Sequence, residues 1–183
     1  FVNGEYWVIV DLLRASKPHE YDLLFHLSPP AQDRVSVMVS DDTLSIHSPQ
    51  LVLAQPLIPD IRPFIQEGFV STSYGEKQRA PIVRLTQRNS SSCFLTAVYP
   101  YKGDEPYISV EMPDPDRGPQ ALQLGEHGPV RITITRNGIR YRDDLVFTGQ
   151  AASHGGIPDV PSSTHVRISR TDHHSKLLFR YQA

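Results

Sequence analysis

Short apolar runs, rich in β-branched and aromatic residues and bounded by turn chemistry, recur along the whole chain. They predict strands over 5–13, 20–27, 34–39, 43–47, 50–55, 79–88, 93–99, 107–112, 130–136, 139–147, 164–169 and 176–181. Several alternate with period two. In Arg34-Val35-Ser36-Val37-Met38-Val39 the valines share one face, with Ser36 and Met38 on the other. No window of a dozen residues shows a 3.6 period free of Pro or Gly. The best helical stretch, Ile61 to Glu67, contains Pro63 and predicts a single turn at most.

One hairpin can be derived residue by residue. Asn137-Gly138 fits a two-residue type I′ turn, which needs φ > 0 at both central positions. That turn pairs Arg136 with Ile139, Thr135 with Arg140, Ile134 with Tyr141 and Thr133 with Arg142. The apolar pair then lies on one face and the Thr–Arg pairs on the other. An antiparallel sheet with one core face and one wet face follows.

About a dozen strands of this kind predict an all-β chain with little or no helix, an antiparallel β-sandwich or jelly roll occupying residues 1–183 as one domain. Sixteen Pro and 11 Gly agree with that shortage of helix. The polar, Pro-rich segments 113–119 and 151–163 read as loops, the second as the more mobile or ligand-facing. A formal charge of −2 gives no support to nucleic-acid or anionic-membrane binding. No apolar run approaches the roughly 18 residues of a spanning helix. The single Cys93 excludes an internal disulfide and any cysteine-cluster metal site. The chain opens on Phe1-Val2-Asn3-Gly4, without Met or a signal-peptide pattern, and runs almost at once into strand; it reads as a piece of a larger protein.

Eight histidines invite metal or acid–base chemistry. His26 reads either as a buried acid–base or ligand residue or, more simply, as a strand histidine near a sheet edge. His26, Asp42 and His47 would make a His/Asp/His set for zinc, but their spacings match no closed site. His173-His174 fits a solvated turn, and His154-Gly155-Gly156 a loop. No Gly-x-Ser-x-Gly elbow occurs, and Cys93 reads as a small core residue. The most distinctive stretch is Gly68 to Pro81. It reads as a substrate-facing loop, with Tyr74 as a stacking surface and Lys77 and Arg79 pairing to carboxylate or sulfate groups. The simpler reading is a crossover between sheets, with Phe69 and Tyr74 buried as plugs. Arg131, Arg140 and Arg142, beside Asp143 and Asp144, read as a solvated, self-compensated face.

Gly4-Glu5-Tyr6-Trp7-Val8-Ile9-Val10-Asp11, followed by His19-Glu20-Tyr21 through Phe25-His26-Leu27, resembles the C-terminal β-sandwich of the heparinase II/III-like polysaccharide lyases. Phe69-Val70-Ser71-x-x-Tyr74-Gly75-Glu76-Lys77 resembles that family's Trp-x-Ser-x-x-Tyr-Gly segment, with Phe69 in place of Trp. Ala80-Pro81-Ile82-Val83 and Phe94-Leu95-Thr96-Ala97-Val98-Tyr99-Pro100 continue the series. The resemblance covers about residues 4–100. It implies a sandwich that follows an α/α toroid in an enzyme cleaving uronate polysaccharide, heparin/heparan- or alginate-like, by β-elimination. The family's catalytic Tyr and His and its Asn-His-x-His-x-Asp zinc segment have no counterpart in this sequence. The resemblance therefore implies no catalytic residue, no metal ligand and no cofactor within this stretch, with zinc belonging to the parent enzyme. The sandwich would brace the toroid and wall the cleft, with Tyr74, Lys77 and Arg79 facing substrate or toroid. Its partners would be the toroid and an acidic polysaccharide, not nucleic acid or membrane, in the periplasm or outside the cell. The alternatives are a free-standing carbohydrate-binding module and a purely structural interaction domain.

Overall fold

A computed structural model describes residues 1–112, 130–149, 164–172, 174 and 177–182. Its elements are almost all strands: β1 (Trp7–His26), β2 (Ser36–Ser40), β3 (Thr43–Ser48), β4 (Leu51–Pro56), β5 (Arg62–Val70), β6 (Gln78–Pro100), β7 (Tyr107–Glu111), β8 (Val130–Arg136), β9 (Ile139–Gly149), β10 (Thr164–Asp172) and β11 (Leu177–Gln182). A single 3-10 turn, Pro29–Ala31, follows β1. The expected all-β antiparallel sandwich is what forms. The segments 113–119 and 151–163 and His173 lie outside the described residues, as does His154.

The strands make two antiparallel sheets. One runs β1-β6-β4-β3-β2, with β5 also paired to β6; the other runs β11-β10-β9-β8-β7. Val52, Ala54, Leu95 and Ala97 of the first pack against Val110, Ile132, Ile134 and Leu145 of the second in one buried cluster. Side-chain hydrogen bonds tie the sheets at one edge. The Thr43 hydroxyl accepts from Val110 N–H at 2.8 Å, satisfying a buried backbone donor.

Four of the predicted strands merge into two. Residues 5–13 and 20–27 are parts of β1, and 79–88 and 93–99 are parts of β6. The two pair along nearly their whole length, from Trp7↔Val98 to His26↔Ile82. Between Arg14↔Ser91 and His19↔Asn89 the register slips, so four residues of β1 oppose one of β6. Such a bulge bends and twists a ribbon without ending it. On one side of the bulge β6 also pairs β4; on the other it pairs β5. The half carrying β5 folds over the face of the first sheet that points away from the second. Val83 and Leu85 there bury against Leu44, Ile46, Leu53 and Phe94 in a second core. The first sheet is thus covered on both faces.

Ile61–Glu67 corrects the expectation of a helical turn, since it lies largely within strand β5. Pro63 is tolerated because β5 pairs only β6 and so is an edge strand. The hairpin at 130–142 follows the predicted register pair for pair, with Asn137 at φ 52° and Gly138 at φ 74°. Its outer face is less wet than alternation predicts, because Thr133 is buried.

The remaining correction concerns Asp143. It does not join a solvated face; it is wholly buried. The register that puts Ile134 and Tyr141 on the core face puts Asp143 there too, opposite Ile132. Its carboxylate accepts from Tyr6 Oη at 2.6 Å and from Arg170 Nε and Nη2 at 2.7 Å each. Arg170 also reaches Glu5 Oε2 at 2.6 Å and lies over the Tyr141 ring. Burial, then the charge and hydrogen bond of Asp143, push the Tyr6 hydroxyl far above its ordinary pKa, so it stays a donor. Burial works against the Arg170 charge, and the bonds and charges of Asp143 and Glu5 more than offset it.

Removing one partner of a buried ion pair strands the other charge, at a cost of about 3–5 kcal/mol. Losing a neutral donor to such a group costs about 1–3 kcal/mol. Arg170→Met should therefore destabilise more than Tyr6→Phe in urea unfolding followed by circular dichroism. Equal, negligible effects would show that the cluster does not hold the sheets.

Candidate functional site

The stretch singled out by sequence is a hairpin within one sheet. β5 and β6 pair from Arg62↔Thr86 out to Val70↔Gln78, and only the tip between them is loop. This corrects the crossover reading. It also corrects the idea of buried plugs: Phe69 is 43 % exposed and Tyr74 is fully exposed. The tip is fixed by backbone geometry. Glu76 N–H donates to Ser73 O at 3.1 Å, and Gly75 at φ +80° takes the turn position that requires positive φ. Tyr74, one residue earlier, is thereby held outward at the apex.

Period two sorts the hairpin's side chains. Ile65, Glu67 and Phe69 of β5 share a face with Arg79, Pro81 and Val83 of β6, because directly paired residues of an antiparallel ladder point the same way. At the tip Lys77 Nζ sits 3.7 Å from the Phe69 ring centroid, a cation–π contact. Arg79 Nε lies 3.7 Å from Glu67 Oε1, and both side chains are largely exposed, so the pair holds little energy and leaves Arg79 available. Farther down, the same face meets the residues that follow the 3-10 turn. Gln32, Asp33, Val35, Ile65, Glu67 and Pro81 line a shallow cleft of about 200 Å³. The structure therefore brings Lys77 and Arg79 together at the tip, with Tyr74 at the apex beyond them. The acidic cleft beneath them was not visible in sequence, because Asp33 and Glu67 are 34 residues apart (67 − 33).

On the opposite face of this hairpin Gly68 leaves room for the Ile82 side chain, which a Cβ there would force to shift. Beside it Arg84 donates to Asp22 at 2.8 Å and to Glu20 at 3.2 Å. The bonds from Arg84 and then Thr86 hold the Asp22 carboxyl below the usual carboxylate range. Asp22 and Glu20 thus share the one guanidinium of Arg84.

The histidines take other roles. His26 is exposed on β1, opposite Ile82, so it is not a buried acid–base group. His47 Nε2 is 2.8 Å from Ser45 Oγ, and its Nδ1 bonds Glu105, which joins β3 to the loop ahead of β7. His174 is exposed in the turn after β10. Among the described residues no three His, Cys, Asp or Glu side chains converge as a metal would need, His26, Asp42 and His47 included. Arg131 pairs with Glu111 and Asp144, and Arg142 lies 3.6 Å from Asp144, which is the self-compensated face expected of them.

Cys93 packs in the main core. Burial, followed by the charge of Asp11, pushes its thiol up to about 12. Native protein at about pH 8 should resist iodoacetamide, because thiolate is the reactive form, and label only once unfolded. Rapid native labelling would contradict this placement.

Residues 1–119, about two thirds of the chain, match the family model described as "Heparinase II/III-like, C-terminal". No curated protein and no solved structure matches the chain. The matched stretch holds β1 to β7, including the whole hairpin and the cleft; strands β8 to β11 lie beyond it.

Proposed function

The chain belongs to the heparinase II/III-like C-terminal family, and from that membership we propose that it is the sandwich part of a polysaccharide lyase. In this reading it braces a helical toroid and walls a cleft that takes uronate-containing polymer, without carrying the catalytic groups itself. The carrying observation is the hairpin end: Tyr74 and Lys77 stand exposed in the tip loop, and Arg79 stands exposed on the paired strand beside it. Two cations beside an aromatic ring suit an anionic sugar. The guanidinium and ammonium meet carboxylate or sulfate, and an aromatic face stacks on the sugar's C–H surface. In β-elimination a base removes the proton next to the uronate carboxylate, and neutralising that carboxylate lowers the barrier. A wall of fixed cations serves that purpose from outside the catalytic centre.

Bracing has its own support. Phe1, Trp7 and Ile9 are exposed together at the start of β1, with the Phe1 and Trp7 rings 4.6 Å apart. Aromatic surface of this kind marks a contact site, and we assign it to the toroid. A second reading, a free-standing carbohydrate-binding module, is favoured by the exposure of Tyr74 and Phe69.

Calorimetric titration with acidic oligosaccharides tests the hairpin. Lys77→Ala, Arg79→Ala and Tyr74→Ala should each weaken binding by about fivefold to tenfold, with affinity falling as salt rises. Unchanged affinity in all three would remove the hairpin from the site. The chain alone should release no unsaturated uronate product; ultraviolet-detected turnover would overturn the non-catalytic assignment. In the whole enzyme Ile9→Asp should cut turnover without weakening saccharide binding by this chain. Turnover unaffected by that change would favour the free-standing module.

A further inference from the structure

Away from the hairpin, three side chains form a line of contacts that the lyase reading does not use. In β3, Leu44 and Ile46 turn to the core under the fold-back. Ser45 and His47 alternate with them and so share the opposite face, the one turned toward the second sheet. His47 Nδ1 bonds the carboxylate of Glu105, from the loop ahead of β7, and His47 Nε2 is 2.8 Å from Ser45 Oγ. An ionised carboxylate only accepts, so Nδ1 carries the hydrogen of the neutral ring. Nε2 is then the acceptor, and the Ser45 hydroxyl donates to it. The other contact of that hydroxyl, Met38 O at 3.5 Å, is too long to compete. A hydroxyl on an imidazole whose far nitrogen is held by a carboxylate is the arrangement of an activated nucleophile, recognised by geometry and not by sequence order. The place is a sheet edge. Ser45 itself is 7 % exposed, and across the ladder stands Met38 of edge strand β2, on the same face and 53 % exposed. An unbranched thioether there moves aside easily, and the narrow opening limits a reagent to a short acyl group.

We propose that Ser45, His47 and Glu105 form an acyl-transfer site for short-chain activated esters, a chemistry distinct from β-elimination. Ser45 Oγ attacks the ester carbonyl as its proton passes to His47 Nε2. The leaving alcohol or phenol departs with that proton, and the acyl group stays on Ser45 as an ester. Water, giving a proton to His47, then attacks the acyl-serine. The acyl group leaves as a carboxylic acid, and the proton held by His47 restores the Ser45 hydroxyl. Ser45 is paired to Met38 on one side and Ala54 on the other, so its own N–H is engaged in the ladder and does not serve the oxyanion. Lacking one such donor slows acyl transfer by about 10²–10³-fold. Acylation therefore needs an activated ester, and turnover is slow.

The test incubates the 183-residue chain at neutral pH with p-nitrophenyl acetate, reads p-nitrophenolate release, and locates the adduct by peptide mass. Acetyl should appear on Ser45, with a burst of about one equivalent of p-nitrophenolate ahead of slow turnover. Ser45→Ala should lose the burst. His47→Gln should slow acylation of Ser45 about 100-fold or more, the contribution of a general base. Glu105→Gln should slow it about tenfold, because an amide donating to Nδ1 leaves Nε2 unable to accept. Circular dichroism checks that each variant keeps the wild-type fold; if His47→Gln does not, Glu105→Gln, altered in an exposed loop residue, decides. A contact that merely ties β3 to the loop predicts no acetyl on Ser45, or acylation of Ser45 as fast in the folded His47 and Glu105 variants as in wild type. Either result overturns the proposal.

Discussion

A carboxylate with no access to water must be fully answered, and Asp143 is the group on which this sandwich turns. Three donors from two directions meet it: the Tyr6 hydroxyl from the start of the chain, and the Arg170 guanidinium from the strand beside it. Glu5 holds the outer side of Arg170. Removing Asp143 or Arg170 leaves the other's charge in the interior, so that pair is close to all-or-none. It fixes where β1 begins relative to the second sheet. It also ties the stretch shared with the family, residues 1–119, to strands β9 and β10 beyond it. The matched segment supplies one wall of the main core, and β8 to β10 supply most of the other.

Anchored there, the β1–β6 ribbon can be long. Its bulge after Arg14 lets one pair of strands serve two layers, first facing the second sheet and then folding back over the first. That fold-back carries β5 and its hairpin to the outside, where the tip stands free, and brings Ile65 and Glu67 against the residues after the 3-10 turn. Basic tip and acidic cleft are therefore products of one bend. The chemistry proposed for this face needs such placement, since neither part is formed by neighbours in sequence.

Much of this was legible in advance. The Asn137-Gly138 turn specified its hairpin to the residue, because turn geometry and alternation are local. The same dipeptide at Asn3-Gly4 went unread. Its φ values of 48° and 70°, with Glu5 N–H bonded to Val2 O, make a tight turn that delivers Glu5 and Tyr6 to Arg170 and Asp143. Asp143 itself followed from the register, two positions along the core face from Tyr141. Arg170 followed in the same way from the alternation Val166, Ile168, Arg170 in β10. For Asp143 the charge of the side chain outweighed the period of the strand; Arg170 had not been singled out. The merging of strands in β1 and β6 was less visible. Pro18 and the Ser-rich run at 90–92 look like turns, and only long-range pairing keeps them in one ribbon. The cleft depended on that fold-back and had no local signal.

The account stands on residues 1–119 and the later strands forming one cooperative unit around Asp143. The direct measurement compares thermal unfolding of the whole chain with that of residues 1–119 alone, followed by near-ultraviolet circular dichroism. Without Asp143 and Arg170, and with its main core open on one side, the shorter piece should show no cooperative transition while the whole chain shows a sharp one. A shorter piece that unfolds as sharply and at the same temperature would contradict the account.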